Sequence, residues 1–327
     1  MIGNLKNGTL ARLVNRLGIV WRVKYRHIHI ASGVAMDVQG AFSYGGNCII
    51  AKNSVITVPV SGSLELGTGC YIGRYAEVGA TGQIEIGENT SIQDRCVILG
   101  DVSIGENCLL SYNVYVSSGR HYFDLKPWWL IKDQDAFVAQ DEELSSLHSR
   151  PVVIEDDCLI GINAVLMAGI TIGKGVVIGA NSVVTKDIEP YSIAAGVPAK
   201  VIKKRLNFSP PKKISCLTPQ DFPYFYSGFN TSQAALPIRM VHGGMQAKNR
   251  FVILLDTSGA NSIHMILNGP QGKAAKLILN ETYSINLPEK MSEVVFKIDA
   301  PINNKLCFNV HSEIGASSVI IQKAWVE

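Results

Sequence analysis

No apolar run in the 327 residues approaches the roughly 18 that a membrane-spanning helix needs, and the start of the chain lacks the continuous apolar stretch of a signal peptide. Both absences lead to the expectation of a soluble, cytoplasmic protein. Neither a Cys-x-x-Cys pair nor a His/Cys cluster is present, so no metal is expected. The seven cysteines are an odd number, and Cys70, Cys96, Cys108 and Cys158 recur at regular positions where a small, reduced side chain suffices for packing. Acids are missing from residues 1–26, which hold Lys6, Arg12, Arg16, Arg22, Lys24 and Arg26 beside Leu10, Leu13, Val14, Leu17, Val20 and Trp21 at helical spacing. This segment reads as a basic amphipathic helix. A cap packed on the end of the adjoining domain is the simpler account, and peripheral contact with the anionic inner membrane is the alternative.

What is present is a six-residue beat. Aliphatic residues stand at Leu66, Ile72 and Val78, then at Ile86, Ile92, Ile98, Ile104, Leu110 and Val116, and again at Ile154, Ile160, Leu166, Ile172, Ile178 and Val184. A strict period of six suits neither a helix nor a free alternation of two, and it predicts a parallel β-helix whose short strands stack coil on coil. In each hexad the aliphatic residue points inward. Gly161, Gly173 and Gly179 follow where the backbone turns, and a small or branched residue such as Cys158, Ala164, Val176 or Ser182 comes four positions after the aliphatic one. Three hexads close a triangular coil, which is stabilised by its neighbours.

The beat breaks between Val116 and Ile154. Residues 119–150 hold no hexad but carry Pro127, Trp128, Trp129 and several acids, so the chain leaves the prism at a corner as an excursion, bounded at 119–152. Solenoids place binding loops at such corners. The excursion opens Ser117-Ser118-Gly119-Arg120-His121-Tyr122-Phe123-Asp124, with an imidazole at the exit.

That opening, Ile172-Gly173, the run Gly179-Ala180-Asn181-Ser182-Val183-Val184-Thr185-Lys186-Asp187 and the run Ala195-Gly196-Val197-Pro198-Ala199-Lys200-Val201-Ile202 together resemble the hexapeptide-repeat O-acetyltransferases, over about residues 30–205. The resemblance implies a left-handed β-helix across 27–205, a homotrimer with active sites between subunits, and acetyl-CoA as donor. It implies His121 as general base, because a saccharide hydroxyl attacks a thioester only when a base takes its proton, and an unperturbed imidazole, with a pKa of about 6.5, is available near neutrality. Asp124 is the expected orienting partner, with Asp94, Asp101 and Glu106 close along the ladder and His148 the second choice of base.

For coenzyme A, Gly161, Ala168, Gly179 and Ala180 suit close approach of the pantetheine chain, while Lys186, Lys200, Lys203, Lys204 and Arg205 suit the phosphates. For the acceptor, Asn113, Tyr122, Trp128 and Trp129 offer polar and aromatic contacts. The expected partners are a saccharide or polysaccharide and further copies of the chain, with no nucleic acid.

Past Arg205 the beat is gone. Pro210, Pro211 and Pro223 suggest a linker over 206–224, and aliphatic runs at 251–256, 262–268, 275–279, 292–298, 306–310 and 319–325 read as antiparallel strands of a β-sandwich over 225–327. Three functions fit this organisation. O-acetylation of a surface polysaccharide (capsule or lipopolysaccharide) leads, acetylation of a small acceptor such as serine, a nucleotide-sugar amine or an antibiotic comes second, and a non-catalytic scaffold is the third.

Overall fold

The computed structural model describes residues 28–141, 143–144, 150–230, 240–241, 243–270, 275–312 and 319–327. The basic segment 1–26 and His148 lie outside the described residues. The chain divides into two compact units, Met1–Asn207 and Phe208–Glu327. Among the described residues, no helix is long and apolar enough to cross a membrane.

The six-residue beat is realised as three sheets of parallel strands visited in turn. One coil runs Ser91–Ile92, Val97–Leu99, Val102–Ile104, one strand in each sheet, and the next coil begins at Leu109–Leu110 directly upon Ser91–Ile92. Every aliphatic residue of the beat from Leu66 to Val184 is at most 2% exposed. Strands this short have too few hydrogen bonds to persist alone. They are held by stacking of like rungs, Leu66 on Ile86, Ile86 on Ile104, Ile104 on Ile154 and Ile154 on Ile172, each buried side chain contributing about 1.5–3 kcal/mol.

The corners explain two features of the sequence. Asn47, Asn53, Asn89, Asn107, Asn113, Asn163 and Asn181 all adopt φ between 56° and 60°, a left-handed conformation that asparagine tolerates better than most residues. Three of them form a ladder up one edge: Arg95 Nε donates to Asn113 Oδ1 (2.8 Å), Asn113 Nδ2 to Asn163 Oδ1 (3.0 Å), and Asn163 Nδ2 to Asn181 Oδ1 (3.0 Å). Asn113 is thus engaged in closing a corner.

The cysteines do more than fill space. The thiols of Cys48, Cys70, Cys108 and Cys158 lie 3.1–3.2 Å from the carbonyl oxygens of Gly67, Gly87, Glu155 and Gly173 on the next coil. Thr90 occupies the same rung and donates its hydroxyl to Gly105 O at 2.6 Å. The position therefore calls for a small side chain with a donor. Cys108→Ala should lower the unfolding free energy by about 1 kcal/mol, while Cys108→Thr, which copies Thr90, should retain most of it; denaturant midpoints check this.

The C-terminal unit is an antiparallel sheet. Its described strands are linked by hydrogen bonds through the long strand Gly244–Leu254, which pairs through 245–247 with Val319–Val326 and through 250–254 with Lys305–Ser312. The two arms close over one core in the manner expected of a sandwich, with Phe296 and Phe308, from strands far apart in that order, meeting at 5.9 Å. Phe225, Phe251, Phe296 and Phe308 fill its core, with Phe251 and Phe308 stacked at 4.9 Å. The expected linker 206–224 is partly structure of this unit. Lys213–Ser215 adds a strand beside Lys323–Trp325, and the 3-10 turn Pro219–Tyr224 leads into strand Phe225–Phe229.

Candidate active site

The excursion leaves the solenoid without disturbing it. Ile104 pairs with Ile154, 50 positions on, where adjacent coils such as Ile86 and Ile104 lie 18 apart; 50 less 18 leaves 32, the length of 119–150. Ser118 Oγ accepts the Asp101 N–H at 2.7 Å at the exit, and Val152 N donates to Asp101 O at 3.0 Å at the return.

A helix that shows no clear period in the sequence, α1 (Ile131–Ala139), organises the excursion. Two adjacent residues of α1 tie it down. Gln134, 1% exposed, accepts the Lys126 N–H at 2.9 Å and donates to Trp129 O at 3.3 Å. Asp135 reaches back to the exit, where Oδ2 lies 2.7 Å from His121 Nδ1 and Oδ1 accepts the Tyr122 N–H at 2.8 Å. The Tyr122 N–H, and after it the imidazole, holds the Asp135 carboxyl below the ordinary carboxylate range. Asp135 therefore remains an anion near neutrality.

A carboxylate on Nδ1 selects the tautomer with its proton there, leaving the Nε2 lone pair to accept a proton. The His121 side chain is 85% exposed, so that lone pair is open to a bound molecule. Asp124 is not its partner. It forms an ion pair with Arg120 (Nη2 to Oδ1, 2.5 Å), one helical turn's spacing away, and the Arg120 guanidinium lies 5.4 Å from the Tyr122 ring centre. Asp94 is likewise engaged, accepting Arg74 N and Nε at 2.8 Å each, and Asp101 accepts Gln83 N at 2.6 Å.

Residues 83–118 match the family described as bacterial transferase hexapeptide (six repeats), and 151–186 match the hexapeptide repeat of succinyl-transferase. The solenoid is a hexapeptide-repeat domain. Its relatives include a 2,3,4,5-tetrahydropyridine-2,6-dicarboxylate N-acetyltransferase of Staphylococcus aureus, 46% identical over 65 residues, 20% of this chain. The chain spans only 27% of the length of that curated relative. Among solved structures, a hexapeptide-repeat acetyltransferase of Vibrio cholerae complexed with acetyl coenzyme A is 28% identical over 42% of this chain and 69% of that one, with a TM-score of 0.30. A galactoside acetyltransferase in complex with coenzyme A is 32% identical over 38% of this chain and 56% of that one, with a TM-score of 0.29.

Within the hexapeptide domain the expected site residues fall on different edges. Ala168 and Lys186 lie on the corner from which the excursion departs, one and two coils further on, and Lys186 is exposed. Gly161, Gly179 and Ala180 lie on the asparagine-ladder edge. A Cβ on Gly161 would stand 2.6 Å from Ala180 N, and one on Gly179 would stand 2.8 Å from Ala195 Cβ, so both glycines are required by coil stacking. Lys200 and Lys203 are exposed on the terminal hairpin Ser192–Gly196 and Ala199–Lys204. Lys204 pairs with Glu189 at 2.9 Å, and Arg205 occupies the remaining edge, bound to Asp157 Oδ2 at 2.9 Å and Gly175 O at 3.2 Å. Arg205 thus fastens the end of the domain to an earlier coil.

The aromatics divide in the same manner. Trp129 packs edge-on against Phe137 (5.7 Å), and the Lys126 ammonium lies 4.0 and 3.9 Å from the two ring centres, a small core internal to the excursion. Trp128 is 80% exposed and Phe123 61%.

Proposed function

We propose that the protein is an acetyl-CoA-dependent O-acetyltransferase acting on a saccharide hydroxyl, with His121 as base and Asp135 as its positioning residue. The observation that carries this is the 2.7 Å contact of Asp135 with His121 Nδ1 where the excursion leaves a hexapeptide domain. His121 Nε2 takes the hydroxyl proton as the oxygen attacks the thioester carbonyl; the carbon–sulfur bond breaks, and the proton passes from the imidazole to the departing thiolate. Asp135 stabilises the imidazolium formed between those two transfers. No acyl-enzyme is needed, because donor and acceptor meet directly.

Exposed Trp128 and Phe123, carried on the same excursion as this base, suit the apolar face of a sugar ring. The exposed cations Lys186, Lys200 and Lys203 suit the phosphates of coenzyme A. Since they lie on separate parts of one domain, a donor groove between neighbouring copies of a homotrimer accommodates them better than a groove on a single copy. The second reading, acetylation of an amine, is favoured by the 46% identity to the N-acetyltransferase.

Release of coenzyme A with panels of glycans, amino sugars and small amines tests the assignment. Glycan-dependent release that Asp135→Asn lowers about 10–100-fold, with little change in the KM for acetyl-CoA, is the expected result. Release with amines alone would move the assignment to the second reading, and none with any acceptor would reject transfer.

A further inference from the structure

The C-terminal sheet carries a polar and aromatic cluster that neither its core nor acetyl transfer uses. Ile263, Met265, Ile321 and Ala324 of strands Ser262–Asn268 and Val319–Val326 are buried, and the residues between them that include Ser262, His264, Lys323 and Trp325 remain partly exposed. Trp325 and His264 face each other across the two strands with ring centres 5.1 Å apart at 19°. Trp325 Nε1 donates to Glu327 Oε1 at 3.0 Å. His264 Nδ1 lies 2.7 Å from Glu293 Oε1, and its Nε2 lies 2.9 Å from Ser262 Oγ and 3.5 Å from Glu327 Oε2.

The line Ser262, His264, Glu293 has the order of a hydrolytic triad. The Ser262 N–H, however, is bonded to Glu327 O at 3.0 Å and so is not available as an oxyanion donor beside Oγ. These contacts fix the rings in place.

Beyond Trp325, Lys213 is its register partner on the next strand, and the Lys323 ammonium lies 5.8 Å from the Trp325 ring centre. Among the described residues neither lysine is paired with a carboxylate. The neighbouring Lys213 ammonium holds Lys323 below the ordinary lysine range. Two like charges on neighbouring strands are unfavourable, and an anionic group seated between them relieves the repulsion.

We propose that this surface binds a chain of acidic sugars. The rings supply apolar contact, Lys213 and Lys323 receive a sugar carboxylate, and Glu293, Glu327 and Ser262 accept sugar hydroxyls. The two glutamates within the cluster disfavour a densely charged polymer such as a nucleic acid and suit charges spaced one per ring. The inference is independent of acetyl transfer, since binding requires no acetyl-CoA.

Titrating the full chain by calorimetry with an oligogalacturonate and with a neutral maltooligosaccharide of equal length tests it. The uronate should bind at least tenfold more tightly than the neutral oligomer; K213Q/K323Q should erase that difference, and Trp325→Ala should weaken both. Thermal melts establish that the variants fold, and the lysine pair, exposed Lys213 and half-buried Lys323, keeps the test informative if Trp325→Ala does not. Wild-type protein that shows no preference for the uronate, or a preference that survives K213Q/K323Q, would overturn the proposal.

Discussion

Replacing His121 by alanine should lower kcat for acetyl transfer by roughly 10²–10⁴, the range that loss of a positioned general base gives, while the Kd for acetyl-CoA changes less than twofold. The separation follows from the structure. The His121 side chain is 85% exposed and its protein contact is with Asp135, so its removal leaves the buried rungs and the lysines of the terminal hairpin intact. Equilibrium binding of acetyl-CoA together with initial rates of coenzyme A release measures both quantities. A variant with wild-type kcat would show that the base lies elsewhere, and loss of acetyl-CoA binding would make His121 a donor contact.

Deleting residues 119–150 should abolish transfer and leave the hexapeptide domain folded. The deletion joins Ser118 to Pro151 and restores the 18-residue spacing, so that the rungs Leu110 on Ile160, Val116 on Leu166 and Ile104 on Ile154 all keep their register. Solenoid coils depend on their neighbours, and an insertion that starts and ends at one corner adds nothing to that stacking. Among the described residues the loss at the joint is small, the hydrogen bonds from Gly169 N to Arg150 O and from Gly119 N to Ser117 Oγ. A cooperative melt with strand-rich circular dichroism and no coenzyme A release is the expected result. A molten or aggregated product would mean that the excursion also holds the coils together.

Period was the feature of this sequence most easily read, because one side chain in six has to be buried in every coil whatever else the chain does. The beat residues from Leu66 to Val184 and the exit at residue 119 were both legible on that ground. Partners inside the excursion were not. Asp124 is nearer to His121 in sequence, yet Arg120 takes it at helical spacing, and Asp135 reaches His121 only because α1 turns back toward the exit. The available hint was the pair Gln134 and Asp135, adjacent polar residues that tie two separate turns of the loop to the helix.

The cysteine ladder was half legible. Spacing marked a small-residue rung, but the need for a donor emerges only when Thr90 is found making the same bond to the next coil. In the C-terminal unit, alternation located the long strands, whereas Lys213–Ser215 and Tyr283–Asn286 are too short to show a period and are fixed by pairing with strands already present.

A double-mutant cycle on His121 and Asp135, read as kcat for coenzyme A release, tests most directly the claim that a carboxylate-held imidazole performs the transfer. If Asp135 acts through the ring it holds at 2.7 Å, Asp135→Asn should cost about 10–100-fold in the wild-type background and almost nothing in His121→Ala. Losses that multiply across the two backgrounds would contradict the account.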